Sequence, residues 1–107
     1  MKYKNQNVGI LYFTNPPAEA DNLGKVVDGV MRTVARSVPV RKVNTDYEVT
    51  IVEKAKPTMT PSLIFTNEAG DLEHIRVEGA KLADISVDGV LGIVQDIIKY
   101  NKTQANG

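Results

Sequence analysis

The stretch Met59-Thr60-Pro61-Ser62-Leu63-Ile64-Phe65 places a proline directly before a short apolar run. The run from Ser62 to Thr66 predicts a β-strand, because it is rich in branched and aromatic side chains and ends in polar residues. Asn67 to Asp71 has the composition of a turn, and a further strand is predicted at about Leu72 to Glu78. The second half of the chain therefore predicts a β-hairpin.

The first part of the chain predicts a strand, a helix and a second strand. Val8 to Phe13 is a continuous apolar run, which is typical of an inner strand buried on both faces. A helical stripe predicts one long helix from about Glu19 to Arg36, although Gly24 and Gly29 lower its intrinsic propensity. The valines between Val38 and Val43 indicate the second strand. Because the helix is long enough to cross over, we expect the two strands to be parallel.

The remaining elements are a short helix and a long C-terminal helix. Tyr47 to Lys56 fits either a strand or one face of a helix, and we predict a short helix there. Ser86 is a candidate N-cap for a helix whose apolar stripe continues to about Tyr100. We expect one domain over residues 1–107, with flexible tails at 1–6 and 101–107.

Composition argues against several classes of function. Lys and Arg together number 13, as do Asp and Glu, so no net charge attracts nucleic acid, and none is expected as a partner. The chain has no cysteine, which excludes disulfides, thiolate metal sites and thiol nucleophiles. Its apolar runs are far shorter than the about 20 residues of a membrane helix. We expect a cytoplasmic protein without membrane association and without a cofactor.

Two groups of polar residues have simple structural explanations. His74, the only histidine, is expected to face solvent beside Arg76 and cannot form a zinc site alone, so no metal site is predicted. Basic residues near the end of the long helix could form a small patch, or could complement the helix dipole. These basic residues are Arg32, Arg36, Arg41 and Lys42.

The order strand, helix, strand, short helix, strand, strand, helix resembles the minimal thioredoxin-like fold. Met59 to Phe65 is similar to the thioredoxin segment in which a hydrophobic residue or Thr precedes Pro and a strand ending in Phe. Val77 to Ala80 is similar to the Val-Gly-Ala stretch before the last helix of that family. The resemblance implies an α/β three-layer sandwich, β-α-β-α-β-β-α, with a mixed four-stranded sheet, over about Val8 to Tyr100.

The resemblance also implies where a functional surface lies. It implies a cis peptide bond between Thr60 and Pro61, beside the position of the active site in the family. The family's cysteines follow the first strand, where this chain reads Thr14-Asn15-Pro16-Pro17-Ala18-Glu19-Ala20. Because no residue there can form a thiolate, the chain looks like a divergent member that lacks the redox cysteines. Dithiol–disulfide exchange is excluded.

Two interpretations stay open for these positions. Thr60 and Pro61 either form an edge on which an extended peptide docks, or only shape the start of the third strand. Thr14 and Asn15 either cap the first helix or also meet a ligand.

Our leading hypothesis from the sequence is a redox-inactive adaptor that binds another protein or an extended peptide. The alternatives are a divergent enzyme that binds glutathione or another small thiol, and a self-associating structural subunit. The oligomeric state is left open. The residues expected to contact the partner are Thr14, Asn15, Pro16, Pro17, Thr60 and Pro61.

Overall fold

The sheet has four strands. The computed structural model describes residues 8–66 and 75–106. The first apolar run forms β1 (Gly9–Thr14), with β2 (Val40–Asn44) parallel on one side and β3 (Ser62–Thr66) antiparallel on the other. β4 (Ile75–Glu78) pairs antiparallel with β3. The order β2-β1-β3-β4 confirms the inner position of β1 and the predicted pairings. The predicted turn at 67–71, the start of the fourth strand at 72–74 and the expected tail at 1–6 lie outside the described residues.

The prediction of one continuous helix from Glu19 to Arg36 is wrong. The chain forms two helices here, α1 (Pro16–Ala20) and α2 (Asn22–Val34), and Asp21 between them is extended, with φ −71° and ψ 153°. α1 begins on two prolines, which suit the first turn because a helix leaves those N–H groups without partners. The break at Asp21 lets α2 turn back and pack closely against α1.

The ambiguous segment after β2 is helical, as predicted. It forms α3 (Val49–Ala55), which ends where Lys56 adopts the left-handed conformation with φ 51°. The N–H of Lys56 still donates to the carbonyl of Val52, at 2.8 Å. Such a residue is a common way to end a helix, because it closes the last turn and reverses the chain direction.

The last helix is longer than its apolar stripe. A short 3₁₀ turn (Gly79–Leu82) leads from β4 towards α4 (Val87–Asn106). The Ser86 hydroxyl accepts a hydrogen bond from the N–H of Gly89 at 3.0 Å, which confirms Ser86 as the N-cap. The helix continues past Tyr100, where the stripe ends, because residues 101–106 include no proline or glycine and several good helix formers.

Helices cover both faces of the sheet and create two cores. One face packs against α2 and α4, and its core is the larger. The other face packs against α3 around Phe13, Val43, Ala55 and Ile64. This is the predicted three-layer arrangement. No helix in residues 8–66 and 75–106 combines the length and apolar composition needed to cross a membrane. The buried side chains of the larger core are Val8, Ile10, Tyr12, Val27, Met31, Val34, Val38, Leu63, Phe65, Leu82, Val90, Val94 and Ile97.

Candidate functional site

Several chain segments meet at one edge of the sheet, where β1, β2 and β4 end and β3 begins. The register pairs Thr14 with Asn44, and Ser62 with both Phe13 and Glu78. The loop after β1, the turn after β2 and the segment before β3 therefore adjoin one another. We call this end of the sheet the carboxyl edge. All the site residues predicted from the sequence lie here: Thr14, Asn15, Pro16, Pro17, Thr60 and Pro61.

Asn15 links three of these segments through its side-chain amide. Its Oδ1 accepts a hydrogen bond from the N–H of Ala18 at 2.9 Å, which caps α1 and confirms the capping interpretation. Its Nδ2 donates to Oγ1 of Thr45 at 3.1 Å and to Oγ1 of Thr60 at 3.4 Å. The single side chain therefore holds the turn after β2 and the segment before β3 against the start of α1.

Thr14 contributes its backbone to the carboxyl edge. Its carbonyl accepts a hydrogen bond from the N–H of Thr45 at 3.0 Å. The side chain is buried, and within the described part of the chain its hydroxyl has no hydrogen-bond partner. The hydroxyl is therefore not presented to a ligand at the surface.

Thr60 and Pro61 differ in how their backbone is used. The peptide bond between them is cis. Pro61 is buried, and its carbonyl accepts a hydrogen bond from the N–H of Gly79 at 2.9 Å, which continues the pairing of β3 and β4. Among residues 8–66 and 75–106, no hydrogen bond engages the backbone N–H or carbonyl of Thr60. The N–H and the carbonyl of Thr60 can therefore form hydrogen bonds with a partner.

Met59 packs on the backbone of Gly79 across the same edge. Gly79 has a φ of 58°, in the left-handed region that favours glycine. A Cβ at Gly79 would lie 1.7 Å from the Sδ of Met59, so the thioether occupies the space that a side chain would take. The Met59 side chain is nevertheless 52% exposed. The contact positions an apolar side chain at the surface beside Thr60.

Exposed apolar residues lie within two positions in sequence of Asn15 or of its partners Thr45 and Thr60. Tyr47 is 80% exposed and Met59 is 52% exposed, and Pro16 and Pro17 are exposed as well. Large apolar side chains in solvent are informative when they adjoin one another, because such patches mark interaction sites. We call this group the carboxyl-edge surface. Its members are Asn15, Pro16, Pro17, Tyr47, Met59 and Thr60.

Reasoning from the sequence did not include Thr45, Tyr47 or Met59 among the site residues. Thr45 receives the Asn15 amide and Tyr47 is exposed near it in the turn after β2. One signal was available, since Tyr47 is an aromatic residue between two acidic ones and fits no buried stripe. The proximity of that turn to Asn15 depends on the parallel register of β1 and β2, which local sequence does not reveal.

A group of charged side chains lies between α2 and β2, away from the carboxyl-edge surface. Lys42 Nζ lies 2.5 Å from Glu19 Oε1 and 3.4 Å from Asp28 Oδ1, and the Tyr12 hydroxyl donates to Asp28 Oδ1 at 3.4 Å. Burial and the neighbouring carboxylate of Asp28 raise the pKa of Tyr12. The hydrogen bond to Glu19 raises the pKa of Lys42 against the opposing effect of burial. The group therefore favours neutral Tyr12 and protonated Lys42.

The possible basic patch is largely neutralised by pairing. Arg32 Nε lies 2.8 Å from Asp28 Oδ2, and the NH2 nitrogen of Arg41 lies 3.0 Å from Glu48 Oε1. Lys42 pairs with Glu19 and Asp28 as described above. The structure thus gives no separate support to a positively charged binding surface here. In the described ranges, no three or more His, Cys, Asp or Glu side chains form a group that could hold a metal ion.

Arg76 does not point freely into solvent, which corrects the expectation for this residue. Its guanidinium donates to the carbonyls of Ala55 and Lys56 at 3.0 and 3.2 Å, at the end of α3. It also lies 2.9 Å from Glu78 Oε1. The reason is that α3 covers this face of β4, so the side chain can satisfy the last carbonyls of a helix. His74, for which the same exposure was predicted, lies outside the described residues.

Glu78 fixes the segment before β3 from the other side. Its carboxylate accepts a hydrogen bond from the N–H of Thr58 at 2.7 Å, a second from the Thr58 hydroxyl, and a third from Arg76. Burial opposes ionisation of this carboxyl, but the hydrogen bonds from Thr58 and Arg76 outweigh it, so the pKa of Glu78 lies below its ordinary value. The chain approaching Met59 and Thr60 is therefore anchored to the end of β4.

Comparison with solved structures supports the fold. The chain is similar to the crystal structure of the NTD N/C domain of alkylhydroperoxide reductase AhpF from Enterococcus faecalis, with a TM-score of 0.54 and 16% sequence identity. The match covers 65% of this chain and 34% of that one, so the chain spans about a third of the length of that structure. No protein-family model and no curated protein matches the sequence. At this identity the likeness bears on the fold alone, and the chain has a thioredoxin-like fold without any cysteine.

Proposed function

We propose that this protein is a redox-inactive, cytoplasmic thioredoxin-like module that binds an extended segment of another protein on the carboxyl-edge surface. Binding is non-covalent, because the chain contains no thiol that could form a mixed disulfide. The partner segment pairs its backbone with Thr60 and places apolar side chains against Met59 and Tyr47. Recognition of this kind takes its affinity from main-chain hydrogen bonds and its specificity from flanking side chains.

The observation that carries the proposal is the backbone of Thr60. Within the described residues its N–H and carbonyl have no hydrogen bond, whereas the neighbouring Pro61 carbonyl is paired with Gly79. The segment around Thr60 is held by Asn15 and, through Thr58, by Glu78. Preorganised backbone groups lose little conformational entropy on binding, which favours an added strand at this position.

The exposed apolar residues beside Thr60 give a second line of support. Met59 precedes Thr60 and Tyr47 lies two residues after Thr45, and both present exposed apolar side chains. Methionine adapts its shape to different apolar surfaces, and tyrosine is enriched among residues that dominate binding energy. An alternative role in binding a small thiol draws less support, since the Thr14 hydroxyl is buried and the Asn15 amide already has partners.

The test uses site-specific photo-cross-linking in cells of the source organism. A photoreactive residue replaces Met59 in the full chain, and the same residue replaces Val26 in a control, because Val26 of α2 is similarly exposed, at 51%, and is not part of the carboxyl-edge surface. We expect Met59 to yield a discrete adduct with one protein, and Val26 to yield none. Adducts only with a second copy of this chain, or the same adducts from both positions, would contradict the proposal.

Affinity measurements with the identified partner then test the chemistry of the surface. Met59→Ala and Tyr47→Ala are each expected to weaken binding by about 10-fold or more, which is the size of effect seen for central interface residues. Val26→Ala should leave the affinity unchanged. Equal affinity for all three variants in isothermal titration calorimetry would rule out this surface, provided that circular dichroism shows intact folds.

A further inference from the structure

The sulfur atoms of this protein all belong to methionine. The chain has three methionines and no cysteine, so no thiol competes with them for an oxidant. Met31 is 2% exposed in the larger core, whereas Met59, directly before Thr60, is 52% exposed. Met1 lies outside the described residues. Because oxidation follows exposure, Met59 is the described methionine that an oxidant reaches.

The contact between Met59 and Gly79 suits an apolar sulfur. Of the Met59 atoms, Sδ lies closest to the place where a Cβ of Gly79 would be, followed by Cγ and Cε. The N–H of Gly79 already donates to the carbonyl of Pro61, so it is not available to an oxygen atom on the sulfur. An oxygen on Sδ would therefore put a polar group into an apolar contact.

The backbone around Met59 is anchored independently of its side chain. The hydroxyl of Ser62, a buried residue, donates to the carbonyl of Met59. On the other side, the Glu78 carboxylate accepts from the N–H of Thr58. A chemical change at the thioether can therefore move the side chain while the segment keeps its place, so its effect falls on the surface rather than on the fold.

We infer that Met59 is a site of reversible oxidation to methionine sulfoxide by peroxides, and that the modification weakens binding at the carboxyl-edge surface. The second part rests on the proposed function. In the reaction a lone pair on Sδ attacks one oxygen of hydrogen peroxide, an S–O bond forms and the O–O bond breaks. The sulfur is oxidised by two electrons. The other oxygen takes up the proton of the transferred one and leaves as water.

The modification changes what the carboxyl-edge surface offers to a partner. Sulfoxide formation turns a flexible apolar side chain into a polar one. The oxygen is hydrated in solvent but not in the contact with Gly79, so the side chain leaves the glycine and its apolar surface beside Thr60 is lost. Methionine sulfoxide reductases remove the oxygen again, which makes the change reversible.

The first experiment treats the full chain with hydrogen peroxide and needs no partner. Peptide mapping by mass spectrometry should show sulfoxide at Met59 while Met31 keeps its thioether, with circular dichroism unchanged. The amide signal of Gly79 should shift on oxidation and return after treatment with methionine sulfoxide reductases. Equal oxidation of Met31 and Met59 in the folded chain, an unreacted Met59, or an unmoved Gly79 signal would each overturn the inference.

The second experiment measures affinity for the partner identified by cross-linking, before and after peroxide treatment. Oxidation of the parent chain should weaken binding by about 10-fold, as expected for loss of a central apolar contact. The control combines Met59→Leu with Val26→Met, which moves an exposed methionine to α2, and peroxide should leave its affinity as it was before treatment. Unchanged affinity of the oxidised parent chain, or an equal loss in the control, would contradict the inference. If the untreated chain binds no partner, the proposed function fails, while peptide mapping and the Gly79 signal still decide the modification.

Discussion

Gly24 of α2 lies so close to Ala18 of α1 that a Cβ on Gly24 would be 1.8 Å from the Ala18 carbonyl oxygen. The carbonyl belongs to the main chain and the backbone fixes the position of a Cβ, so no side-chain rotation can relieve the clash. We expect Gly24→Ala to lower the free energy of unfolding by about 3 kcal/mol, at the upper end of the usual cost of overpacking. Chemical denaturation with urea measures this difference.

Gly29 provides the matched control for that prediction, because it lies in the same helix and an added Cβ meets nothing within 4 Å. Gly29→Ala should stabilise the protein by about 0.5–1 kcal/mol, since alanine has the higher helix propensity. Similar effects of the two substitutions would show that close packing of α1 and α2 does not govern stability here.

Asn15 should contribute to stability in two separable ways. Asn15→Ala removes the cap of α1 and both amide hydrogen bonds, and should cost about 2 kcal/mol in total. Asn15→Asp keeps an oxygen for the N–H of Ala18 but loses the donor to Thr45 and Thr60, so we expect about half of that loss. Thermal and urea unfolding of both variants give the two contributions.

The control for this pair is Asn22→Ala, an exposed asparagine in the first turn of α2. It should change the unfolding free energy by less than about 0.5 kcal/mol. The amide signals of Thr45 and Thr60 should shift in Asn15→Asp and stay in place in Asn22→Ala. If Asn15→Asp matched the parent chain in stability and spectrum, the link between the loops would be unimportant.

Glu78 should make the protein sensitive to acid. Its folded pKa lies below the ordinary 4.5, so its contribution is complete above that pH and is lost as the pH falls through the folded pKa. The side chain is 10% exposed, and Glu78→Gln should cost about 2 kcal/mol at neutral pH. Urea unfolding at several acidic pH values should show that the difference in unfolding free energy between the parent chain and Glu78→Gln decreases as the pH falls. Glu53→Gln, at an exposed position of α3, should have little effect at neutral pH.

Tyr12 should make the stability of the protein fall as the pH rises into the alkaline range. Burial and Asp28 raise its folded pKa above 10.0, so the neutral phenol stabilises the fold below that pH and the contribution disappears as the pH rises through the folded pKa. Tyr12→Phe keeps the ring but cannot ionise, so this loss of stability at alkaline pH should be absent from the variant. The difference in tyrosinate absorbance between parent and variant should show Tyr12 ionising only above 10.0. Ionisation below that value would contradict the described burial of the hydroxyl.

The strands and the last helix were predictable because each depends on a local pattern. Each of these patterns determines structure only a few residues away. Examples are the apolar run of β1, the proline before β3 and the cap that Ser86 forms on α4. The break at Asp21 was not predicted, since the apolar stripe begins only at Leu23 and does not mark where the helix starts. The close approach of Gly24 to Ala18, which the break permits, joins two separate helices and is not visible in a local pattern.

The candidate site was predicted in part for the same reason. Asn15 and Thr60 could be placed together through the resemblance to a known fold, and the structure joins them by a hydrogen bond. Tyr47 could not, because its position depends on the parallel register of two strands separated by two helices.

The outer strand β2 bears on how the protein behaves at high concentration. One side of β2 has no neighbouring strand in the described part of the chain, so its backbone groups could recruit a strand from another molecule. Arg41 and Lys42 are exposed in the middle of β2, and an added strand would have to desolvate these charges together with their carboxylate partners. Charged side chains on an outer strand disfavour pairing with a further strand, so we expect the protein to stay free of edge-to-edge association.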